Sequence, residues 1–414
     1  MHIKGDDIQR PLKILHVTPH YEPAFEMGGI VRSVSQLSRG LVKSGQGVTV
    51  FTTNNNPLGK VLDVPVNQEV DVGGVKVWYF PTKILNNKFF YSPGLGKACY
   101  KKMRDFDLLY IASFWSYPAI PAVNAARRHN VPYIMSIHGT LDPYSLKQKR
   151  LKKNLYLNLF EKRNLKSAVA IHYTTELERD RSHTYNRLKN PSFIVPNPVP
   201  VNETTDLPSK EKARDYFSLP QDAHVISFVG RLHPRKALNV LIQSFIKLAP
   251  QLNNYCYVLI AGPDDGDETR LKQLVIKNGL NDKVKFLGFV DAHIRNFVLK
   301  ATDLFWFATY PGENFGYSAV EAMAAGVPVI LSEYVGIYKE VLEDDAGIIV
   351  SYDSEDIAKK VVGLMTNKER KMRMFENTKK AAQRYEQTHI VSLMLKAYQD
   401  VLTGQRSPEL NWKD

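Results

Sequence analysis

A chain of 414 residues is longer than one hydrophobic core normally supports, so two domains are expected. Its 44% hydrophobic and 23% charged residues are those of a folded globular protein and exclude fibrous and disordered classes. The formal net charge of +13 is the unusual quantity, and it asks for an anionic partner: nucleic acid, a membrane surface or a phosphorylated ligand. No apolar run approaches the roughly 20 residues that cross a bilayer. The first ten residues carry Asp6 and Asp7 and lack an apolar signal core, so a cytoplasmic location is expected. Cys99 and Cys256 stand far apart without metal-ligand spacing and read as buried thiols.

Short apolar runs at 13–17, 48–52, 75–80, 108–112, 133–137, 168–173 and 193–195 predict strands in the first half. Helical periods lie between them, for example at 29–43 and 118–128. Gly28 and Gly29 stand between the first strand and its helix, where a backbone free of side chains can approach a ligand closely. At 147–166 the cations Lys147, Lys149, Arg150, Lys152, Lys153, Lys162, Arg163 and Lys166 face one acid, Glu161, a local charge of +7. Leu151, Leu155, Leu159 and Tyr156 recur there at helical spacing, which predicts a basic amphipathic helix suited to an anionic membrane surface. The competing reading is a solvated helix whose leucines pack on their own domain.

Five prolines between 191 and 208 read as a linker. Strands are then predicted at 224–229, 257–261, 284–287, 303–307, 327–331 and 346–350, with a helix at 237–248. The alternation implies parallel sheets covered on both faces, an α/β class built of two doubly wound, Rossmann-like domains facing an interdomain cleft. The expected domains are 1–200 and 201–385, with a C-terminal helix at 386–414 crossing back to the first.

Two loops carry chemistry. At 310–321 the chain reads Tyr-Pro-Gly-Glu-Asn-Phe-Gly-Tyr-Ser-Ala-Val-Glu: Glu313, Asn314, Phe315 and Gly316 end a strand, and Glu321 lies on a helix beginning near Tyr317. The amino end of that helix suits a phosphate, and the two carboxylates suit sugar or ribose hydroxyls. At 229–242, Arg231 and Lys236 follow another strand end and could flank a diphosphate. Blander readings make these residues helix-start acids and surface cations.

Both loops resemble the retaining family-4 glycosyltransferases of GT-B architecture. The Gly28-Gly29 loop, the His138-Gly139 pair and Asn197-Pro-Val199 match further family motifs in the right order. The resemblance implies metal-independent transfer of a sugar from a nucleoside diphosphate, UDP- or GDP-linked, to an acceptor hydroxyl with retention, the departing phosphate helping to deprotonate that hydroxyl. No other cofactor is implied. It also implies roles: Arg231 and Lys236 on the diphosphate, Glu313 on the sugar, Glu321 on the ribose, and His138 on the sugar ring or its hydroxymethyl group. The first glycine loop would approach the donor phosphate or the acceptor, and Asn314, Phe315 and Gly316 would belong to the donor site. The sequence departs from the pattern at Ala237, where glycine is usual, and at Asn314. Glu-Asn-Phe-Gly resembles bacterial surface-polysaccharide transferases, so a lipid-linked acceptor at the inner face of the plasma membrane is expected. A soluble acceptor and a sugar-nucleotide epimerase are the alternatives; nucleic acid is not expected, because it leaves the paired acids unexplained.

Other features are set aside. Asp265 and Asp267 read as helix-start acids rather than metal ligands. Gly45-Gln-Gly47 lacks the third glycine of a dinucleotide loop, and Gly316-Tyr-Ser-Ala-Val320 misses the second glycine of a serine-hydrolase elbow, so Ser318 reads as a helix-start residue. His16, His20 and His233 fall near strand ends and read as structural. Base recognition is expected from backbone near 287–290.

Overall fold

The computed structural model describes residues 10–56, 60–83, 89–148, 150–203, 207–253, 255–404 and 412; the first nine residues and Lys149 lie outside them. The chain divides into two compact units, the first comprising 1–198 and 387–414, the second 199–386. No helix among the described residues is long and apolar enough to cross a membrane.

Unit 1 holds β1 (Lys13–Val17), β2 (Gly47–Thr53), β3 (Glu69–Val72), β4 (Val75–Phe80), β5 (Leu108–Ile111), β6 (Tyr133–Ser136), β7 (Ala170–Tyr173) and β8 (Ser192–Ile194), in the order β3-β4-β2-β1-β5-β6-β7-β8. All neighbours pair in parallel except β3 and β4, which form a hairpin closed by Gly73 and Gly74. The central strands are buried throughout, as expected for a parallel sheet with helices on both faces. Helix Gln387–Leu402 completes this core: Ile390, Met394, Ala397 and Tyr398 pack with Ile14, Val50 and Tyr110. Gln387 also donates to the carbonyl of Gln36 at 2.7 Å.

Unit 2 holds β9 (His224–Val229), β10 (Cys256–Ala261), β11 (Val284–Gly288), β12 (Leu304–Phe307), β13 (Val329–Ser332) and β14 (Gly347–Val350). Their order, β11-β10-β9-β12-β13-β14, is the doubly wound 3-2-1-4-5-6 arrangement, and it reverses between β9 and β12. Ligands of such sheets bind outside the carboxyl ends of the strands at that reversal. The loops that follow β9 and β12 carry Arg231, Lys236 and Glu313.

Some expectations need correction. The basic stretch is not one helix: it runs as Pro143–Lys147, Arg150–Tyr156, a widened π turn Leu157–Glu161, and Lys162–Ser167. Helical spacing of the leucines was visible in sequence, but the π turn arises where buried Glu161 reaches the backbone N–H of Trp115 at 3.2 Å. Their burial also differs from the blander reading, since Leu151, Leu155 and Leu159 are 86%, 62% and 59% exposed. The proline-rich stretch read as a linker holds the boundary between the two units at 198/199; the strand expected at 193–195 is β8, and a short turn at Val201–Glu203 follows the boundary.

Candidate active site

In unit 2, three ties hold the two loops together. Tyr310 N donates to Arg235 O at 2.8 Å, the Lys236 ammonium meets the Glu313 carboxylate at 2.5 Å, and the same ammonium stands 4.7 Å from the centre of the Phe307 ring. Burial alone would raise the Glu313 pKa, yet Lys236, with Arg235 and Arg231 beyond it, holds the carboxyl below its usual range. Glu313 is therefore an ionised acceptor at neutral pH, suited to hydroxyl donors. Beneath it, Ser332 Oγ accepts from Thr309 N at 3.1 Å and donates to Thr309 O at 2.7 Å, fixing the exit of β12.

Arg231 is exposed and pairs with Asp265 at 2.6 Å. Such pairs contribute about 1 kcal/mol or less, so a diphosphate can displace the aspartate. His233 Nδ1 accepts from Arg235 N at 3.1 Å and so caps the turn Pro234–Lys236. Ala237 follows at φ +49°, a left-handed conformation that disfavours a side chain.

Gly316 leads into helix Tyr317–Ala324 at φ +94°, where a Cβ would lie 2.8 Å from Val335. The Phe315 side chain is buried against Tyr385, with ring centres 5.6 Å apart, so it shapes the loop from below; Asn314 stays half-buried. Glu321 meets Arg295 at 3.0 Å, a partner on helix Ala292–Ala301 that no motif announced. The acids of 264–267 are engaged locally. Asp264 Oδ1 accepts from the backbone of Gly266, Asp267 and Glu268, so Asp264, not Asp265 or Asp267, caps the next helix, and Asp267 holds Arg270 at 2.7 Å. Phe289, just past β11, is 60% exposed.

Gly262 is another residue the sequence did not flag. A Cβ there would sit 1.8 Å from the carbonyl oxygen of Gly230, at the root of the Arg231 loop. Gly262→Ala is expected to destabilise unit 2 by about 3 kcal/mol and to displace the loop. Thermal unfolding with and without nucleoside diphosphate measures both effects.

In unit 1, His138 follows β6 at φ +47°, half-buried, with Nε2 3.0 Å from Ser136 Oγ. Burial, with His172 behind it, pushes its imidazole down to about 3, so the ring is neutral at physiological pH. A neutral ring can exchange hydrogen bonds with a hydroxyl without repelling positive charge at a reacting sugar. The turn is held by Glu178, whose carboxylate accepts from Gly139 N at 2.6 Å and from Thr174 N at 2.7 Å and Oγ1 at 2.8 Å. Gly28, at φ +98°, opens the helix Gly29–Lys43, and Gly29 is exposed. Asn197 is buried and accepts from Ser33 Oγ at 2.5 Å. Two other histidines are interior: His16 in β1 bonds Ser38 at 2.9 Å, and His20 packs on Phe90.

Residues 28–198 match the glycosyl transferase 4-like domain family, and residues 209–381 match the glycosyl transferases group 1 family. An uncharacterized glycosyltransferase of Methanocaldococcus jannaschii is 28% identical over 357 residues, 82% of this chain and 85% of that one. The phosphatidyl-myo-inositol mannosyltransferase of Mycolicibacterium smegmatis is 23% identical over 393 residues, 90% of each chain. Among solved structures, Anabaena HepE in complex with UDP and glucose superposes with a TM-score of 0.73 at 18% identity, covering 94% of this chain and 99% of its own. With one such domain in each half and this fold over nearly all its length, the chain is a glycosyltransferase of the GT-B type.

Proposed function

We propose that the chain transfers a hexose-type sugar, with retention, from a UDP- or GDP-sugar to an acceptor hydroxyl. The observation that carries this reading is the Lys236–Glu313 pair at the point where the strand order of unit 2 reverses. Lys236 and Arg231 take the diphosphate and offset its growing charge as it leaves, Glu313 takes the sugar hydroxyls, and Glu321, oriented by Arg295, takes the ribose. Gly316 brings the helix start to the phosphates. In unit 1, neutral His138 serves the hydroxymethyl group or ring of the sugar, and the Gly28-Gly29 backbone serves the phosphate or the acceptor.

The leaving phosphate helps to remove the acceptor proton. Charge on the diphosphate is met by side-chain cations, so turnover is expected to survive a metal chelator. UDP is favoured over GDP by the ligand of HepE, and a glycolipid-type acceptor by the name of the mannosyltransferase relative. The acceptor is then a lipid-linked or surface-glycan precursor, reached from the inner face of the plasma membrane through the basic stretch. A small soluble acceptor is the second reading, because the donor site would be the same.

The test is a transfer assay with UDP- and GDP-hexoses, reading nucleotide release and the anomeric configuration of the product by NMR. Release of nucleoside diphosphate with a retained anomer is expected. An inverted product overturns retention, and an epimerised donor without acceptor overturns transfer.

A further inference from the structure

The segment from Arg150 to Ser167 is built inside out for a helix on a water-facing surface. Its protein-facing side is polar and aromatic. Glu161 takes hydrogen bonds from Trp115 N and, at 3.1 Å, from Asn164 Nδ2; Tyr156 OH donates to Ser116 O at 3.3 Å; and Asn164 and Leu165 are buried. Its solvent-exposed positions include Leu151, Leu155 and Leu159, four residues apart, and after the π turn Lys162 and Lys166. Three leucines more than half exposed in one row are unusual on a surface that meets only water.

The same row leads into a second feature. Lys162 and Lys166, together with Arg187 and Lys189, line a surface cavity of about 630 Å³ beside the amino ends of β7 and β8. No carboxylate is among its described lining residues. These strand ends are opposite to those that bear His138, so the cavity belongs to a different face of unit 1 from the candidate site.

We infer that this outer row and cavity form one docking surface for an anionic lipid bilayer: Leu151, Leu155 and Leu159 enter its apolar boundary while the cavity takes a lipid headgroup phosphate. The inference deepens the proposed membrane-side function and names the surface responsible. Nucleic acid would match the cations but would leave the leucine row against water, whereas the interface of an anionic bilayer satisfies both.

The experiment is vesicle flotation with phosphatidylcholine alone and with added phosphatidylglycerol. The purified full chain is compared with the variants L151S/L155S/L159S and K162A/K166A/R187A/K189A, and unchanged melting verifies their folds. The wild type is expected to float with phosphatidylglycerol vesicles only. The leucine variant should lose roughly tenfold or more in partitioning, and the cation variant roughly fivefold per residue removed. Equal binding to both vesicle types, or wild-type binding by either variant, overturns the surface. So does loss of vesicle binding in millimolar inorganic phosphate, which would assign the cavity to free phosphate, or binding of a short DNA duplex that survives the leucine replacements and displaces vesicles. UDP and GDP binding, measured alongside, should be unchanged in both variants; its absence from the wild type would count against the donor assignment and leave the docking surface standing.

Discussion

Lys236→Ala is expected to lower turnover roughly 10²–10³-fold, the usual consequence of losing one pre-placed charge at a developing anion. It should also weaken binding of free nucleoside diphosphate. Glu313→Ala should behave differently. The carboxylate holds the Lys236 ammonium at 2.5 Å, so its removal releases that cation for phosphate. Affinity for free UDP or GDP should be kept or raised while turnover falls, because the lost partner belongs to the sugar. Isothermal titration with the free nucleotide, set beside steady-state turnover, separates the two variants. Equal loss of nucleotide affinity in both would mean that Glu313 serves the phosphates rather than the sugar.

Asp303→Ala is expected to destabilise unit 2 by about 3–5 kcal/mol, because it strands a buried cation. Asp303 is 1% exposed; it receives Arg214 at 2.8 Å, Lys210 at 2.8 Å, Lys371 at 2.9 Å and the backbone N–H of Val225 at 2.9 Å. Arg214 is itself buried and has no route to water. Burial alone would raise the Asp303 pKa, but Lys371, Lys210 and Arg214 pull it down from 3.8 to about 2. A lowered folded-state value means that the stabilisation, about 2 kcal/mol, is present above pH 4 and lost as pH falls towards 2. Acid unfolding followed by circular dichroism should show that decline in the wild type and a flatter one in Asp303→Asn. An unchanged acid midpoint in both would show that the cluster does not govern acid stability.

The strands of both sheets were legible because parallel strands buried on both faces leave continuous apolar runs, as at β1, β5 and β9. β3 was missed because it is an edge strand of four residues, Glu-Val-Asp-Val, whose partner is set by the glycine turn rather than by an apolar run. Glu313 and Lys236 could be picked out by type and by their place after strands, but their contact spans 77 residues and has no period to betray it. The same holds for Glu178 beneath Gly139, Arg295 against Glu321, and the cations around Asp303. The leucines of the basic stretch were read at the correct spacing, yet whether they face the sheet or the solvent depends on Glu161, Tyr156 and Asn164 winning the inner positions, a three-dimensional competition.

The return of the last helix makes the two halves unequal as objects for dissection. Residues 199–386 form one continuous stretch that could be expressed by itself for nucleotide titrations. A fragment ending at 198 would instead open a hole where Ile390, Met394 and Tyr398 belong, and would expose the apolar flank of helix Gly29–Lys43. Isolating that half calls for a circular permutant or a co-expressed peptide covering 387–402.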